Sequence, residues 1–363
     1  MPQAKPKAPH DATAGFAPTT TLIEAIGRGE MVILADNEDR ENEGDLVIAG
    51  QHVDAAAINF MAKFGRGLVC LALDRPRVQA LGLSLIAQSH NARHDTAFTT
   101  SIEARTGITT GISAADRART VAIACDPSSN AQDIATPGHV FPLLARDGGV
   151  LERAGHTEAA LDLTRLAGLN PGAVICEIMN DDGQMARRDD LLRFAQTHEL
   201  KVGTIADLVA HRLQQEALIR RHMDRLVDLP IGGEWRLMTF INVHDGNEHA
   251  AFIKGEIRPD HPTLVRIQRQ NILQAMARDR NLNDAFAAID KQGRGVVVVI
   301  HEPPSKTLGR EEKSEQALRE VGIGAQILRE VGVRDMILLT NTPRQVMALD
   351  GFALNIIDHQ PLS

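Results

Sequence analysis

The chain has 363 residues and a formal net charge of −8, with 43% hydrophobic and 24% charged residues. This length and composition are typical of a globular protein with room for two domains. The acidic balance argues against a non-specific nucleic-acid binder, which needs clustered Lys and Arg, and no apolar run has the length of a membrane span.

Residues 1–18 are rich in Pro, Ala and Lys and contain no apolar segment like that of a signal peptide. We expect them to form a disordered tail, and by default we expect a cytoplasmic protein. Cys70, Cys125 and Cys176 lie inside apolar runs without CxxC spacing, which predicts reduced residues in the core. Tyrosine is absent from the chain, so no mechanism here depends on a phenol.

Residues 19–208 alternate short β-like runs with helical runs, and we predict that they form the first domain. Several strands follow one another directly, which favours an α+β (mixed α/β) fold over a doubly wound sheet. The predicted strands are Met31–Ala35, Leu46–Ala49, Gly67–Leu73, Thr96–Ile102, Val121–Ala124, Val140–Leu143 and Val174–Ile178. The predicted helices are Thr20–Gly27, Ala55–Phe64, Ala114–Thr120, Thr157–Ala167 and Arg187–His198.

The composition changes after the first domain. Ile205–Arg225 is a polar, Arg- and His-rich stretch with few Gly or Pro, which predicts a helix, and we take residues 209–228 as a connector. Residues 229–363 contain a helix followed by an apolar strand and a polar turn, which is typical of an α/β half-unit and predicts a second α/β domain. Its predicted elements are the strands Trp235–Val243, Gly295–Ile300 and Met336–Thr340 and the helices Asn271–Arg278 and Ala317–Glu330.

An acidic loop joins the first two predicted strands. Residues 36–45 read DNEDRENEGD, with six carboxylates and one arginine. Like charges this close repel one another unless a cation lies among them, and Mg²⁺ or Mn²⁺ is the natural partner of oxygen ligands. Arg40 can hold a phosphate or a carboxylate, and Asn42 and Gly44 suit a tight turn. The alternative is a solvated acidic turn without a ligand.

A second polar cluster precedes the predicted helix that begins near residue 157. Residues 153–157 read RAGHT, and we predict that Thr157 is the N-cap. Free backbone N–H groups, a hydroxyl and a guanidinium then surround one point, which is how proteins commonly hold phosphate. His156 is a candidate metal ligand, although a single His at a helix start is more often a surface or capping residue.

Further candidates lie near strand ends. Glu177 follows the apolar run AVIC and is expected to be at least partly buried, which suits a general acid or base, unless it faces solvent from an edge strand. His139 lies in a turn that enters a strand, where catalytic and structural roles are equally compatible with the sequence. Residues 107–117 form a glycine and hydroxyl loop that either lies along a sugar phosphate or is a common turn.

The motifs DNEDRENEGD, TTGISAADR, TPGHVFPL, RAGHTEAA and VICEIMNDDG stand in the order and at the spacings of the 3,4-dihydroxy-2-butanone 4-phosphate synthase family. The chain resembles that family over about residues 20–208. The resemblance implies conversion of D-ribulose 5-phosphate to L-3,4-dihydroxy-2-butanone 4-phosphate and formate by a metal-dependent lyase of riboflavin biosynthesis. It also implies a homodimer with active sites near the subunit interface.

The resemblance also implies residue roles. Glu41 and His156 fall on metal ligands for Mg²⁺ or Mn²⁺, two per active site, and His139 and Glu177 fall on positions essential for catalysis. The positions that contact the sugar phosphate are Arg40, Glu41, Asp45, Arg153, Ala154, Gly155, His156, Thr157 and Glu177. Asp95 stands where the family usually has Gly, and we expect little effect from it.

The C-terminal part resembles GTP cyclohydrolase II through GRGVVVVI, VGIGAQILREVGVRDMILLTNTPR and GFALNIID. That family binds zinc through three cysteines, and no cysteine follows Cys176, so no zinc is expected. The family's catalytic tyrosine is also absent, HEPPSKTLGREEK replaces a family motif, and Ala317 stands where an aspartate is expected before Arg319. His244 and His249 alone are weak evidence for a metal. We interpret this domain as degenerate, with a structural, dimer-organising or ligand-sensing role.

Three hypotheses follow. The first is a synthase with an inactive cyclohydrolase-like domain. The second is a bifunctional enzyme that also opens GTP. The third is a non-catalytic nucleotide sensor or scaffold. The acidic loop, the Arg153–Thr157 cluster and Glu177 favour the first hypothesis over the third.

Overall fold

The computed structural model describes residues 15–37, 40–86, 96–243, 245–270, 280–301, 314–341 and 352–362, with the backbone alone over 314–320. The chain divides into two compact units, Met1–Leu208 and Val209–Ser363. Both units are mixed α/β structures, as predicted. None of the described helices is both long enough and apolar enough to cross a membrane.

The first unit contains a seven-stranded sheet with the order β4-β5-β3-β6-β2-β1-β7. Its strands are β1 Val32–Ala35, β2 Gly44–Ala49, β3 Cys70–Leu73, β4 Ile102–Ala104, β5 Ile134–Leu144, β6 Gly172–Glu177 and β7 Lys201–Thr204. Its helices are α1 Thr19–Gly27, α2 Ala55–Phe60, α3 Arg75–Ala80, α4 Ala114–Cys125, α5 His156–Leu166 and α6 Arg188–His198, and α7 Ile205–Gln215 spans the division between the units. Met61–Gly65 extends α2 as a π-helical turn, and Gly50–His52 and Gly149–Leu151 are short 3₁₀ turns.

The central strands are buried on both faces, because helices pack on each side. Every residue of β1 and β2 is buried. Leu46 and Ile48 pack into a core to which Ile58 of α2, Val121 of α4 and Leu191 of α6 also belong. The alternate residues of β2 face the other side, where α5 and α1 contact each other and the sheet. The three cysteines are buried and free, which confirms their prediction as core residues.

Strand register places Leu34, Asp45 and Glu177 side by side in one row across three strands. Leu34 of β1 pairs with Asp45 of β2, and Asp45 pairs with Glu177 of β6. Directly opposed residues point to the same face of a sheet. Asp45 and Glu177 therefore both project toward the face that carries α5.

The second unit contains another seven-stranded sheet, with the order β14-β13-β11-β12-β10-β9-β8. Its strands are β8 Ile219–Leu229, β9 Gly233–Asn242, β10 Glu248–Lys254, β11 Thr263–Gln270, β12 Gly295–His301, β13 Asp335–Leu339 and β14 Asn355–Gln360, and its described helices are α8 Arg280–Gln292 and α9 Ser314–Val331. Strands β8 to β10 form an antiparallel meander, and β12 pairs with β10 in the antiparallel sense. Strands β11 to β14 are parallel to one another. Trp235 and Phe286 meet edge to face in its core, with ring centroids 5.1 Å apart.

Three predicted elements were wrong. Of the predicted strand Thr96–Ile102 only Ile102 belongs to a strand, because Phe98 and Thr99 form isolated bridges to Leu143 and Leu85 instead of a continuous ladder. Val121–Ala124 is not a strand but the last part of α4, because its apolar residues form the buried face of a helix that begins after the Ser113 N-cap. The predicted helix over Ile205–Arg225 ends at Gln215, and Ile219–Leu229 is an edge strand of the second sheet. Charged residues are common on edge strands, so its charge pattern hid the strand.

Other predictions fall outside the described residues. The helix Asn271–Arg278, Asp95, His244 and most of the HEPPSKTLGREEK segment belong to this group.

Candidate active site

Asp36 organises the acidic loop that joins β1 and β2. Its Oδ2 accepts hydrogen bonds from Nη1 of Arg40 at 2.8 Å and from the backbone N–H of Glu41 at 3.2 Å. Its Oδ1 accepts the N–H of Glu43 at 2.8 Å. Asn42 has a φ of 54°, a left-handed conformation that lets the loop turn back toward β2. The Asp36 carboxylate thus provides hydrogen-bond acceptors for the backbone N–H groups of Glu41 and Glu43.

Gly44 serves packing in this loop. A Cβ at this position would lie 2.4 Å from Cδ1 of Leu191, so only glycine lets α6 approach the start of β2. The sequence predicted that Gly44 serves a tight turn. The structure gives a different reason for the glycine, which is the close contact with Leu191.

The acidic loop meets the first residue of α5. His156 is 6% exposed, and its Nδ1 lies 3.9 Å from Oε2 of Glu41 and 3.8 Å from Oδ1 of Asp45. Ligand atoms of Asp36, Glu41 and His156 all lie within 4.8 Å of one another. Nε2 of His156 and Oδ1 of Asp45 are buried and have no hydrogen-bond partner in the described structure.

Burial and like charge dominate the electrostatics of this cluster. Burial, followed by the charges of Glu177 and Glu41, raises the pKa of Asp45 well above its usual range. Burial also raises the pKa of Glu43, with Glu41 and then Asp36 adding to the effect. The pKa of His156 is lowered, chiefly by burial, although the nearby charge of Asp36 acts in the opposite direction. The site thus places several carboxyl groups around a buried imidazole whose charged form is disfavoured by burial.

Glu177 lies half-buried at the end of β6, as expected. Its Oε2 accepts the backbone N–H of Leu68 at 2.8 Å. A Cβ on Gly67 would lie 2.5 Å from the same oxygen, so glycine is required for this approach. The carboxylate is therefore fixed between its own strand and the segment that leads into β3.

Arg153 precedes the first turn of α5. Its Nη1 donates to Oε2 of Glu158 at 2.7 Å, and its Nη2 donates to Oγ1 of Thr96 at 3.3 Å. The Glu158 carboxylate is 2% exposed, and burial raises its pKa although Arg153 opposes the shift. The predicted N-cap was wrong: α5 begins at His156, Gly155 is the N-cap, and Thr157 lies buried in the first turn.

His139 lies on β5 and contacts a different carboxylate. Its Nδ1 is 3.0 Å from Oε2 of Glu103, and its side chain is 43% exposed. Strands β3 and β6 separate β5 from β2. At a strand spacing of about 4.8 Å, the backbones of His139 and Asp45 are roughly 14 Å apart. Within one chain, His139 therefore lies on the same side of β2 as Glu177 and apart from the acidic cluster.

The structure also brings in residues that sequence reasoning missed. Arg187 donates through Nη1 to the carbonyl of Glu41 at 2.9 Å and to that of Asn42, so the start of α6 holds the acidic loop. Asp36 was part of the recognised acidic run, but its contact with Glu41 and His156 was not predicted. Glu103 directly follows the predicted strand Thr96–Ile102, and no sequence signal separates it from other carboxylates.

The donor set fits a hard divalent cation. Carboxylate oxygens and one imidazole nitrogen converge, and two of the buried donor atoms lack a protein partner. Mg²⁺ and Mn²⁺ prefer oxygen ligands and accept imidazole, whereas a buried carboxylate without a partner is costly. A bound cation would remove that cost.

Comparisons with known proteins agree with this geometry. The sequence model of the 3,4-dihydroxy-2-butanone 4-phosphate synthase family matches residues 20–211, and that of the GTP cyclohydrolase II family matches residues 220–361. A riboflavin biosynthesis protein, RibBA of Aquifex aeolicus, is 44% identical over 376 residues, covering 96% of this chain and 92% of the relative.

Solved structures add two further similarities. RibBX from A. baumannii, described as a two-domain 3,4-dihydroxy-2-butanone 4-phosphate synthase, has a TM-score of 0.82 at 40% identity and covers 96% of this chain and 99% of its own. A 3,4-dihydroxy-2-butanone 4-phosphate synthase in complex with two magnesium ions has a TM-score of 0.52 at 40% identity, covering 54% of this chain and 96% of its own.

Proposed function

The chain belongs to the 3,4-dihydroxy-2-butanone 4-phosphate synthase family of riboflavin biosynthesis, and we propose that it converts D-ribulose 5-phosphate to L-3,4-dihydroxy-2-butanone 4-phosphate and formate. The observation that carries the proposal is the convergence of Asp36, Glu41 and His156 beside the opposed pair Asp45 and Glu177. In this proposal the protein is a metal-dependent lyase.

Glu41 and His156 would hold the metal, with Mg²⁺ or Mn²⁺ as the ion and two ions per active site. When bound, such ions polarise carbonyl oxygens and stabilise the oxyanions that develop during enolisation and loss of formate. The relative whose structure contains two magnesium ions supports this choice. Asp36 shapes the loop and adds negative charge, which raises the affinity of the site for a cation.

The sugar phosphate would be held by the first turn of α5. The backbone N–H groups of His156 and Thr157 are at a helix N-terminus, where anions are favoured, and Gly155 is the N-cap of that helix. Arg153 supplies a guanidinium that Glu158 already orients. Arg40 and Ala154 complete the proposed contacts. The guanidinium of Arg40 is held in place by Asp36 and Glu41.

Proton transfers are assigned to Glu177, Asp45 and His139. Asp45 and Glu177 share one face of the sheet, and Glu177 is oriented by the amide of Leu68. The side chain of His139 is accessible to a substrate. Acids and bases positioned in this way typically contribute 10²- to 10⁴-fold to a rate, roughly.

We propose a cytoplasmic homodimer whose interface lies near His139. The large hydrophobic side chains exposed among the described residues of the first unit are Leu68, Leu85, Ile86 and Ile112. Ile112 adjoins Gly111, which abuts His139, and Leu68 adjoins the Glu177 carboxylate. Apolar surface grouped around a site in this way is typical of a subunit interface.

For the second unit we propose that GTP is not opened. The chain contains no cysteine after Cys176 and no tyrosine, so the zinc ligands and the phenol of a cyclohydrolase are missing from the sequence. The match of residues 220–361 to the GTP cyclohydrolase II family supports the alternative of a bifunctional enzyme. A nucleotide sensor remains the third hypothesis.

One experiment separates these functions. Purified protein is incubated with ribulose 5-phosphate or with GTP, each with Mg²⁺ or Zn²⁺, and formate is measured. We expect formate from the sugar phosphate with Mg²⁺, its loss with EDTA and its return on Mg²⁺ addition. Formate from GTP would support the bifunctional enzyme, and formate from neither substrate would contradict the proposed lyase.

A further inference from the structure

His139 is paired with Glu103, a residue that has no role in the proposed function. Nδ1 of His139 lies 3.0 Å from Oε2 of Glu103, and the two side chains are 43% and 25% exposed. A register shift between Ile102 and Glu103, in the pairing of β4 with β5, accompanies this contact. Such irregularities re-aim a side chain, and they are frequent beside active sites.

Glycines make the contact possible. A Cβ on Gly138 would lie 2.1 Å from the carbonyl carbon of Ile102, so only glycine lets β5 cross β4 this closely. Gly111 has a φ of 84°, and a Cβ there would lie 2.2 Å from Oε2 of Glu103 and 2.7 Å from Nδ1 of His139. The backbone of Gly111 therefore packs directly over the pair.

The loop that covers the pair is itself fixed. Asp116 accepts hydrogen bonds from Oγ1 of Thr109 at 2.8 Å and from the backbone N–H of Gly111 at 3.1 Å. The N-cap Ser113 starts α4 immediately after this loop. The glycine and hydroxyl loop thus holds Gly111 against the pair.

We propose that Glu103 is a positioning residue for His139 in the reaction described above, an inference that rests on the proposed function. The Glu103 carboxylate accepts the Nδ1–H of the neutral ring, so that the Nε2 lone pair is left to take a proton from the substrate. It then stabilises the imidazolium until Nε2 returns the proton. A carboxylate on one ring nitrogen fixes the tautomer and orientation of the other.

The pair contributes little to folding, which makes the role testable. Partly exposed ion pairs typically contribute little to the free energy of unfolding. Removing the Glu103 carboxylate should therefore leave the fold intact while changing the state of His139.

The test uses Glu103→Ala, which removes the contact, and Glu103→Gln, which keeps an acceptor but removes the charge. Glu30→Gln is the matched control, because Glu30 accepts hydrogen bonds from Arg28 and Lys201 far from His139 in sequence. Ring nitrogen shifts are recorded by ¹⁵N NMR, with the His139 signal identified by its loss in His139→Gln. The rate of formate release gives kcat and KM for ribulose 5-phosphate.

In the parent protein we expect the Nδ1–H tautomer of His139. Glu103→Ala should shift the signal toward the Nε2–H tautomer and lower kcat by about 10- to 100-fold with KM changed by less than about threefold. Glu103→Gln should restore part of both effects, and Glu30→Gln should change neither.

A His139 spectrum that is the same in Glu103→Ala as in the parent would overturn the proposal, as would an unchanged kcat. Loss of activity with an equal loss of folded protein, seen by circular dichroism, would also count against it, because it would indicate a structural role. If the parent releases no formate, the proposed function fails, whereas the nitrogen spectrum still decides whether Glu103 sets the state of the ring.

Discussion

His249, in β10 of the second unit, is a buried histidine with only one ring nitrogen in a hydrogen bond. Its Nδ1 accepts the backbone N–H of His301 at 3.2 Å, and its Nε2 has no partner in the described structure. Burial is the main cause that lowers its pKa to about 4. The ring therefore stays neutral in the folded protein at a pH where the unfolded chain is protonated.

This difference predicts a loss of stability in mild acid. A depressed histidine pKa means that the unfolded state binds more protons than the folded state between roughly pH 4 and 6.5. The free energy of unfolding therefore keeps its full value above about pH 6.5 and decreases as the pH falls toward 4. At pH 5 the free energy of unfolding of the second unit should be lower by roughly 2 kcal/mol from this group. His249→Gln, which keeps an acceptor for His301, should remove most of that acid sensitivity.

The measurement is the urea midpoint at pH 7 and pH 5, followed by the fluorescence of Trp235. This residue is the single tryptophan of the chain and is 1% exposed in the core of the second unit. His261→Gln is the control, since His261 is an exposed histidine paired with Asp260. Equal acid sensitivity in His249→Gln and the parent would refute the assignment.

At the residue scale, the sequence identified residues whose side-chain chemistry is typical of a site. It missed residues whose role depends on contacts with distant parts of the chain. Glu41 and His156 were named as ligands, and the structure brings them together. Glu103 was missed because its partner His139 lies 36 residues away and the contact depends on a register shift. The role of Asp36 as an acceptor of loop amides likewise depends on a backbone path that composition does not determine.

The start of α6 shows how one element controls a neighbouring loop. Arg187 lies at the N-cap of α6 and donates to the carbonyls of Glu41 and Asn42. Groups that orient metal ligands typically change metal affinity by about 10- to 100-fold when removed. We expect Arg187→Ala to weaken Mg²⁺ binding by about 10-fold while α6 still folds.

Isothermal titration of Mg²⁺ into the protein tests this expectation. Arg193→Ala is the matched control, because Arg193 is 71% exposed and pairs with Asp190 on its own helix. An unchanged affinity in Arg187→Ala would show that the loop holds Glu41 without help from α6.

The amphipathic helices of the first unit were predicted well, because their apolar periodicity spans several turns. The predicted Arg187–His198 and the observed Arg188–His198 differ by one residue. The apolar run at Val121–Ala124 was ambiguous because a buried helix face and a short buried strand have the same composition. β8 was missed because an edge strand exposes most of its residues and lacks the alternation of a half-buried strand.

At the scale of the whole chain, the alternation of strand-like and helical runs predicted two mixed α/β units, and both sheets are present. Strand order could not be predicted in the same way. The pairing of β2 with β6, which aligns Asp45 with Glu177, joins residues more than a hundred positions apart and depends on packing of the complete sheet. The position of Asp45 beside Glu177 in the candidate site follows from that pairing rather than from any single motif.

The same pairing predicts that metal binding and folding are linked. In the absence of a cation, Asp45 is a buried carboxylate with an unpartnered oxygen, beside the charges of Glu177 and Glu41. A ligand that binds only the folded state stabilises it by about 2.7 kcal/mol when its concentration is 100 times its dissociation constant. We therefore expect saturating Mg²⁺ to raise the free energy of unfolding of the first unit by about 2 to 3 kcal/mol, and EDTA to reverse the change.

Urea unfolding followed by circular dichroism, with and without Mg²⁺, measures this effect. In Glu41→Gln the Mg²⁺-dependent increase should disappear, because a proposed ligand is neutral and the cluster loses one charge. In Glu30→Gln, which alters an exposed carboxylate outside the cluster, the increase should remain. If Mg²⁺ stabilises the parent and Glu41→Gln equally, the ion binds elsewhere, and Asp45 must be neutralised by its own proton instead of by a metal.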